Sequence, residues 1–189
     1  MPERSSLAVR DGGGPAHWTG NGISIEERTG QGAIALRLRG ETEIRLAAAV
    51  LPVDFAGPVG WAAQAPGVVG LRLAPDEWLI LCDRAEEERL TPALQRFVSA
   101  HSGSAVALGH GTVTIQCAGS RAHLLLNKGT SLDLHPRSFP PGRCTATGFG
   151  KIRVVVWRQD LERFSLHVAR SFARSFWDWL LDSAREWAR

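Results

Sequence analysis

Apolar and polar residues alternate along three short stretches of the first half of the chain, the spacing typical of half-buried β-strands, and a fourth stretch is a run of five apolar residues that also predicts a strand. These stretches are residues 23–27, 34–38, 69–73 and 78–82. Two other stretches repeat apolar residues every three to four positions, which predicts helices. One helix opens after Gly40 and is stopped by Pro52, and the other covers about 86–100. The predicted order is strand, strand, helix, strand, strand, helix.

The second half repeats this order. Strands are predicted at 105–108, 113–117, 152–156 and 164–168, with helices opening near Gly119 and Ser171. A shift of 79 residues places Ile34 on Val113 and Asp54 on Asp133, and a shift of 86 places Trp78 on Phe164. The difference predicts a seven-residue insertion in the second half, between Asp133 and Phe164.

The repeat predicts an α+β fold of two pseudo-repeated ββαββα units fused in one domain. This domain is expected over residues 22–189, with halves at about 22–103 and 104–189. One α+β domain without an internal repeat is the alternative. Residues 1–21 include three consecutive glycines and are expected to form a flexible tail.

Residues 127–143, here called the proline loop, link the third predicted helix to the next strand. Pro136, Pro140 and Pro141 exclude helix and ladder pairing, so a stiff, shaped loop is predicted. Such loops position contacts for a partner, although a surface connection stiffened by prolines would have the same sequence. Asp133 and His135 lie on the same side of an extended segment and could bind a partner or a polar ligand. Alternatively, Asp133 braces its own turn, as Asp54 would in the first half.

The last helix has an unusually wide apolar arc of roughly 200°. Its apolar positions are Phe172, Ala173, Phe176, Trp177, Trp179, Leu180, Leu181, Ala184 and Trp187. Packing on one side needs only a little over 100°. The second flank, with its tryptophans, predicts either a partner interface or a helix covered on both sides within the domain.

Composition and charge exclude several functions. A net charge of +3 without a basic block argues against nucleic-acid binding. The odd, widely spaced cysteines Cys82, Cys117 and Cys144 are typical of small buried side chains in a reducing compartment. The charged N-terminus does not resemble a signal peptide, and the longest uncharged run is too short for a membrane span. A cytoplasmic protein without membrane contact is predicted.

Catalytic motifs are sparse. No phosphate-binding loop occurs, and the six histidines lack metal-ligand spacing. A nucleophilic set could be drawn from His110, Asp133 and Cys144, but chains of this length commonly offer such triples. Arg143 could anchor the proline loop through an ion pair of small energetic value.

Several motifs together resemble the gamma subunit of heterotetrameric sarcosine oxidase. They are Leu73-Ala74-Pro75-Asp76-Glu77-Trp78-Leu79, Gly109-His110-Gly111-Thr112, Lys128-Gly129-Thr130-Ser131-Leu132-Asp133-Leu134-His135-Pro136, Phe139-Pro140-Pro141-Gly142-Arg143, and Arg170-Ser171-Phe172 leading into Trp177-Asp178-Trp179-Leu180. The resemblance covers about residues 30–188. One departure is Thr130, where a cysteine would be expected, and this weakens the case for thiol chemistry there.

The resemblance implies a fold similar to the folate-binding domain of the glycine cleavage T-protein, in a complex that oxidatively demethylates sarcosine to glycine. The partners it implies are a beta subunit with FAD and covalent FMN, an alpha subunit with NAD and a tetrahydrofolate-using domain, and a zinc-binding delta subunit. It assigns no catalytic, cofactor-binding or metal-binding residue to this chain. The predicted partner interface comprises Asp133, His135, Pro136, Phe139, Arg143, Trp177 and Trp179.

Three alternatives remain. A related complex could demethylate another N-methyl amino acid, such as N-methylglutamate. A free-standing folate-binding protein or one-carbon transferase would aim Asp76, Glu77 or Asp133 at the pterin ring. Self-assembly through the apolar flank of the last helix would give a symmetric homodimer.

Overall fold

The computed structural model describes Leu7 and residues 15–188, which divide into two compact units. Unit 1 comprises residues 1–29 and 111–189, and unit 2 comprises residues 30–110. Each unit is an antiparallel sheet with helices packed on it, so the predicted α+β class is confirmed.

Unit 1 contains a six-stranded sheet of order β1-β2-β8-β11-β10-β9. Its strands are β1 (His17–Gly20), β2 (Ile23–Arg28), β8 (Thr112–Ala118), β9 (Cys144–Phe149), β10 (Ile152–Arg158) and β11 (Arg163–Ala169). Its helices are α3 (Ala122–Asn127) and α4 (Arg170–Ala184). The core includes Ile25, Ile115, Leu166 and Phe176, none of them accessible to solvent.

Unit 2 contains a five-stranded sheet of order β4-β5-β6-β3-β7. Its strands are β3 (Gln31–Leu38), β4 (Ala62–Ala65), β5 (Val68–Ala74), β6 (Glu77–Asp83) and β7 (Gly103–Ala107). Its helices are α1 (Glu41–Leu46), followed by one 3₁₀ turn, and α2 (Arg84–Ser99). Leu90, Leu94 and Val98 recur every four residues along α2 and are buried, as the helical periodicity predicted.

The internal repeat is visible in the strand order. Without β1, the sheet of unit 1 reads β2-β8-β11-β10-β9, and the sheet of unit 2, read from its other edge, is β7-β3-β6-β5-β4. The first strand of each sequence half therefore lies in the sheet that the other half forms. Strand β2 of the first half pairs with β8, and β7 of the second half pairs with β3. The compact units thus differ from the contiguous halves predicted at 22–103 and 104–189. Alternation shows which face of a strand is buried but not which strand lies beside it.

The register corrects the repeat shift near the first helix. Ile34 pairs with Ile80, whereas Ile115 pairs with Leu166, so the shift at the β3/β8 pair is 81 and not 79. A slip of two residues keeps every side chain on the same face, and periodicity cannot detect it. The shift of 86 holds for β10 and β11, which correspond to β5 and β6.

The predicted flexible tail is wrong for residues 17–20, because β1 pairs with β2 and the Trp18 side chain packs against the core of unit 1. In the same predicted tail Leu7 and Ala16 are buried, whereas residues 1–6 and 8–14 lie outside the described residues. Strands β4 and β9 were also missed, because they contain mainly small residues and follow Pro/Gly-rich segments. Along the described part of the chain, no helix is long and apolar enough to span a membrane.

Candidate partner-binding site

The proline loop begins with a turn built around Asp133. Its Oδ1 accepts a hydrogen bond from the His135 backbone N–H at 2.9 Å, and its Oδ2 accepts one from the Ser138 hydroxyl at 2.5 Å. The Ser138 hydroxyl, followed by the His135 N–H, holds the pKa of Asp133 below its usual range. Asp133 therefore braces its own turn, while its side chain remains exposed beside His135.

The same turn occurs in unit 2. Asp54 Oδ1 accepts a hydrogen bond from the Ala56 backbone N–H at 3.0 Å, two residues ahead, as Asp133 does. The shift between the aspartates is 79, so the predicted equivalence of Asp54 and Asp133 agrees with the geometry. The shift is 82 at the β4/β9 pair, since Ala62 pairs with Leu71 and Cys144 pairs with Trp157. Three of the seven additional residues therefore lie between Asp133 and β9, and the other four lie in the β9–β10 hairpin.

Arg158, at the end of β10, holds this loop from beneath. Its side chain has no accessible surface. Its Nη1 donates to the carbonyl oxygens of Leu134 at 2.9 Å and Phe139 at 3.0 Å, within the loop. Its Nε donates to the Asp160 carbonyl at 3.1 Å, and Nη2 donates to the Leu161 carbonyl, in the β10–β11 turn. One buried guanidinium thus joins two surface segments through backbone acceptors.

Arg72 does the same in unit 2, at a shift of 86. Its Nη1 donates to the Gly57 carbonyl at 2.6 Å, and its Nη2 donates to the Pro75 carbonyl at 2.8 Å. Each guanidinium also lies over an aromatic ring of the next strand: Arg72 is 5.0 Å from the Trp78 centroid, and Arg158 is 4.8 Å from that of Phe164. The sequence reasoning missed this pair, although the shift of 86 connects the two arginines.

Two histidine rings meet above the Arg158 anchor. His123, on α3, and His135, in the proline loop, have centroids 6.4 Å apart and planes at 83°. Partial burial, the charge of Arg158 and the nearby His135 lower the pKa of His123, while Asp133 opposes that shift. The loop therefore presents a defined set of polar groups at the surface of unit 1.

The structure separates the predicted interface residues into two groups. Phe139 and Trp177 lie in the core of unit 1, with 2% and 3% of their surface accessible. Asp133 and His135 are exposed, and Pro136, Arg143 and Trp179 are partly buried. Phe139 and Trp177 are hence unsuitable as direct partner contacts, because their side chains already fill the core.

Trp179 lies where the proline loop meets α4. Its ring stacks on Phe176 with an interplanar angle of 8° and a centroid distance of 5.9 Å, and it meets the edge of Phe149 at 5.6 Å. Gly129 lies so close that a Cβ there would be 2.5 Å from the indole. Because glycine has no Cβ, the backbone that follows α3 can pass directly beside the Trp179 ring.

The residue that replaces the expected cysteine has a structural role. The Thr130 hydroxyl lies 2.8 Å from that of Thr147 on β9 and accepts a hydrogen bond from the Leu132 backbone N–H at 3.2 Å. Lys128 lies just before it and donates to the Ser183 carbonyl at 2.7 Å and to the Glu186 carboxylate, with its ammonium 4.2 Å from the Trp187 ring centroid. The start of the proline loop is thus fastened to both β9 and the C-terminal end of unit 1.

The suggested nucleophilic set does not form a working arrangement. Cys144 is fully buried, and both carboxylate oxygens of Asp133 accept hydrogen bonds from its own loop. Burial also raises the pKa of the Cys117 thiol to about 12. The pterin-binding candidates Asp76 and Glu77 pair with one exposed residue, Arg37, at 3.3 and 2.8 Å. Within residues 15–188 and Leu7, no three His, Cys, Asp or Glu side chains are placed to hold a metal ion.

A buried histidine on β11 is expected to make the stability of unit 1 dependent on pH. His167 lies between the hydroxyls of Thr114, 3.1 Å from Nδ1, and Ser165, 3.0 Å from Nε2. Burial lowers its pKa to about 4. Because unfolded histidine binds a proton near pH 6.5, stability is expected to fall as the pH drops from about 6.5 to about 4, by up to about 1.4 kcal/mol per pH unit.

This expectation can be checked by urea unfolding between pH 7 and pH 4.5. The variant His167→Gln keeps a polar side chain that does not titrate, so its unfolding free energy should fall less steeply with pH than that of the wild type. Equal slopes in the two proteins would show that His167 is not the group responsible.

Structural comparison first defines the class of fold. The chain superposes on the glycine cleavage aminomethyltransferase T of Bartonella henselae with a TM-score of 0.68 and 15% identity, over 88% of this chain and 47% of that one. It superposes on a chain of the heterotetrameric sarcosine oxidase of Corynebacterium sp. U-96, in complex with pyrrole 2-carboxylate, with a TM-score of 0.80 and 27% identity, over 91% and 88%. The fold predicted from the resemblance is confirmed.

Sequence comparison then identifies the family. The profile of the sarcosine oxidase gamma subunit family matches residues 40–186, and the chain belongs to this family. It is 28% identical to the sarcosine oxidase subunit gamma of Corynebacterium sp. (strain U-96) over 187 residues, or 92% of this chain and 90% of that protein. It is 30% identical to the corresponding Arthrobacter subunit over 127 residues, or 67% and 62%. The family predicted from the sequence is thus confirmed.

Proposed function

We propose that this chain is the gamma subunit of a heterotetrameric sarcosine oxidase and acts there as a non-catalytic scaffold. Its partners would be the alpha, beta and delta subunits. FAD and FMN would be bound by the beta subunit, NAD and tetrahydrofolate by the alpha subunit, and zinc by the delta subunit. The complex would oxidatively demethylate sarcosine to glycine in the cytoplasm.

The observation that carries this proposal is the bracing of the proline loop by Arg158. A loop held from beneath by a buried guanidinium loses little conformational entropy when a partner binds it, so its exposed groups are ready for docking. Asp133 and His135 project from this loop, and Pro136, Arg143 and Trp179 line it. We propose these five residues as the docking site, without Phe139 and Trp177.

The carboxylates suggested for pterin binding already have partners within this chain. Asp133 accepts a hydrogen bond within its own turn, and Asp76 and Glu77 form ion pairs with Arg37. In a one-carbon transferase, one of these carboxylates would have to face a pocket for the pterin ring.

Co-expression tests the scaffold role directly. The tagged chain is expressed with the genes beside its own, and the eluate is examined by flavin absorbance, mass spectrometry and sarcosine-dependent oxygen consumption. We expect a yellow complex with larger subunits. A colourless monomer that binds tetrahydrofolate saturably would contradict the scaffold role and favour a folate-binding protein.

A charge change in the proline loop tests the docking site. We expect His135→Glu to lower the flavin recovered per tagged chain about tenfold, because it places a second carboxylate beside Asp133 at the interface. The control is Arg45→Glu, an exposed position on α1 of unit 2 where the change in charge is at least as large. Equal recovery with both variants would place the docking site elsewhere on the chain.

A further inference from the structure

The two sheets share one strand order but differ at one edge. In unit 1, β2 has a further strand, β1, on its outer side, whereas its counterpart in unit 2, β7, is the last strand of its sheet among residues 15–188. The two strands correspond closely, since Ile25 on β2 and Ala105 on β7 both point into the core of their unit. The repeat therefore contains one filled and one open example of the same strand position.

Hydrogen bonds show which backbone groups of β7 face outward. The Leu108 N–H donates to the Ala33 carbonyl at 2.6 Å, so the even-numbered residues of this segment face β3. Hydrogen-bonding direction alternates along an antiparallel strand. The backbone N–H and C=O groups of Gly103, Ala105 and Ala107 consequently point away from the sheet.

The corresponding groups of β2 are the ones that pair with β1. The Glu27 N–H donates to the Ala16 carbonyl at 2.8 Å, at the end of the β1–β2 ladder. Trp18 lies opposite Ile25 in that ladder and packs against the core of unit 1. The filled edge shows what the open edge can accept: an antiparallel segment with a large apolar residue at its centre.

The open edge lacks the features that usually protect edge strands. Its sequence, Gly103-Ser104-Ala105-Val106-Ala107, contains no charged residue and no proline, and 51% of the Val106 surface is accessible. The Gln95 side chain lies across it, and its amide donates to the Ala105 carbonyl at 3.3 Å. Because Gln95 is itself exposed, it can move aside when a strand binds.

We propose that the β7 edge binds an extended segment of a partner subunit, which adds an antiparallel strand in the place that β1 occupies beside β2. Such a segment would place a large apolar residue opposite Ala105, whose short side chain leaves room for it. A second copy of this chain is a poor occupant, because a five-residue ladder of small residues buries far less than the roughly 1,200 Å² of a stable interface. The strand thus belongs to a larger interface, and this inference rests on the proposed function.

The test uses the complex and two variants of one residue. Ala107→Pro removes an N–H that faces outward, a position where edge strands tolerate proline, whereas Ala107→Ser keeps it. The tagged chain is co-expressed with its partners, and the partner-to-chain ratio is measured by mass spectrometry. We expect about a tenfold lower ratio with Ala107→Pro and no change with Ala107→Ser, while both isolated chains keep the wild-type Tm.

Each outcome decides the matter. Equal ratios in both variants would overturn the β7 inference and leave the scaffold proposal standing, whereas a wild-type chain that recovers no partner would overturn both. A wild-type homodimer that Ala107→Pro converts to a monomer would identify a second copy as the occupant and overturn the partner assignment. If Ala107→Pro lowers Tm, Val106→Lys serves instead, since it places a charge at the edge and keeps every backbone N–H.

Discussion

Replacement of Arg158 by methionine is expected to lower the free energy of unfolding by about 3–5 kcal/mol. The side chain is inaccessible, and its guanidinium donates to four backbone carbonyls in the proline loop and the β10–β11 turn. Methionine fills a similar volume but donates nothing, so acceptors beneath the loop would lose their partners. The loop would no longer be held in one shape, and partner binding should weaken together with stability.

Urea unfolding followed by tryptophan fluorescence measures the loss of stability. The matched control is Arg163→Met, on the neighbouring strand, where the arginine is exposed and pairs with Asp160 at 3.7 Å. Arg163→Met should lower the free energy of unfolding by less than about 1 kcal/mol, as is usual for the loss of an exposed ion pair. A similar loss in both variants would show that the buried hydrogen bonds of Arg158 contribute no special stability.

The sequence predicted most strands well, because strands such as β2 bury one face and alternate, while β6 and β10 are buried on both faces and show continuous apolar runs. It did not predict the exchange of β2 and β7 between the sheets, since pairing partners depend on backbone groups that leave no mark on side-chain periodicity. Strands β1, β4 and β9 were not predicted from the sequence, for a related reason. Their residues are small or few, and their pairing depends on neighbouring strands rather than on their own pattern.

The candidate site was predicted only in part. Proline spacing correctly indicated a non-helical loop, and the shared aspartates indicated a braced turn. The arginine beneath the loop was missed, because an arginine at a strand end usually reaches solvent. Comparison of the two halves could have found it, since Arg72 and Arg158 are separated by the same 86 residues as Trp78 and Phe164.

The two tryptophans of α4 should differ in what they support, although both fell within the predicted apolar flank. Trp177 is 3% accessible, and Trp177→Ala is expected to lower the free energy of unfolding by about 3–5 kcal/mol. Trp179 is only partly buried, so Trp179→Ala should cost the isolated chain about 1–2 kcal/mol, mainly through lost contacts with Phe176 and Phe149.

The loss of partner binding should follow the opposite order, with Trp179→Ala affected more than Trp177→Ala, at a temperature where both variants remain folded. Trp179→Ala removes exposed indole surface beside the proline loop and should lower partner recovery about tenfold or more, as expected for a tryptophan at an interface centre. Trp177→Ala changes only the core and should retain most of its partner binding. Trp179→Phe keeps the stacked ring and serves as the control for packing. Equal stability losses for Trp177→Ala and Trp179→Ala, with unchanged assembly in the latter, would make both residues core and leave the docking site to Asp133, His135, Pro136 and Arg143.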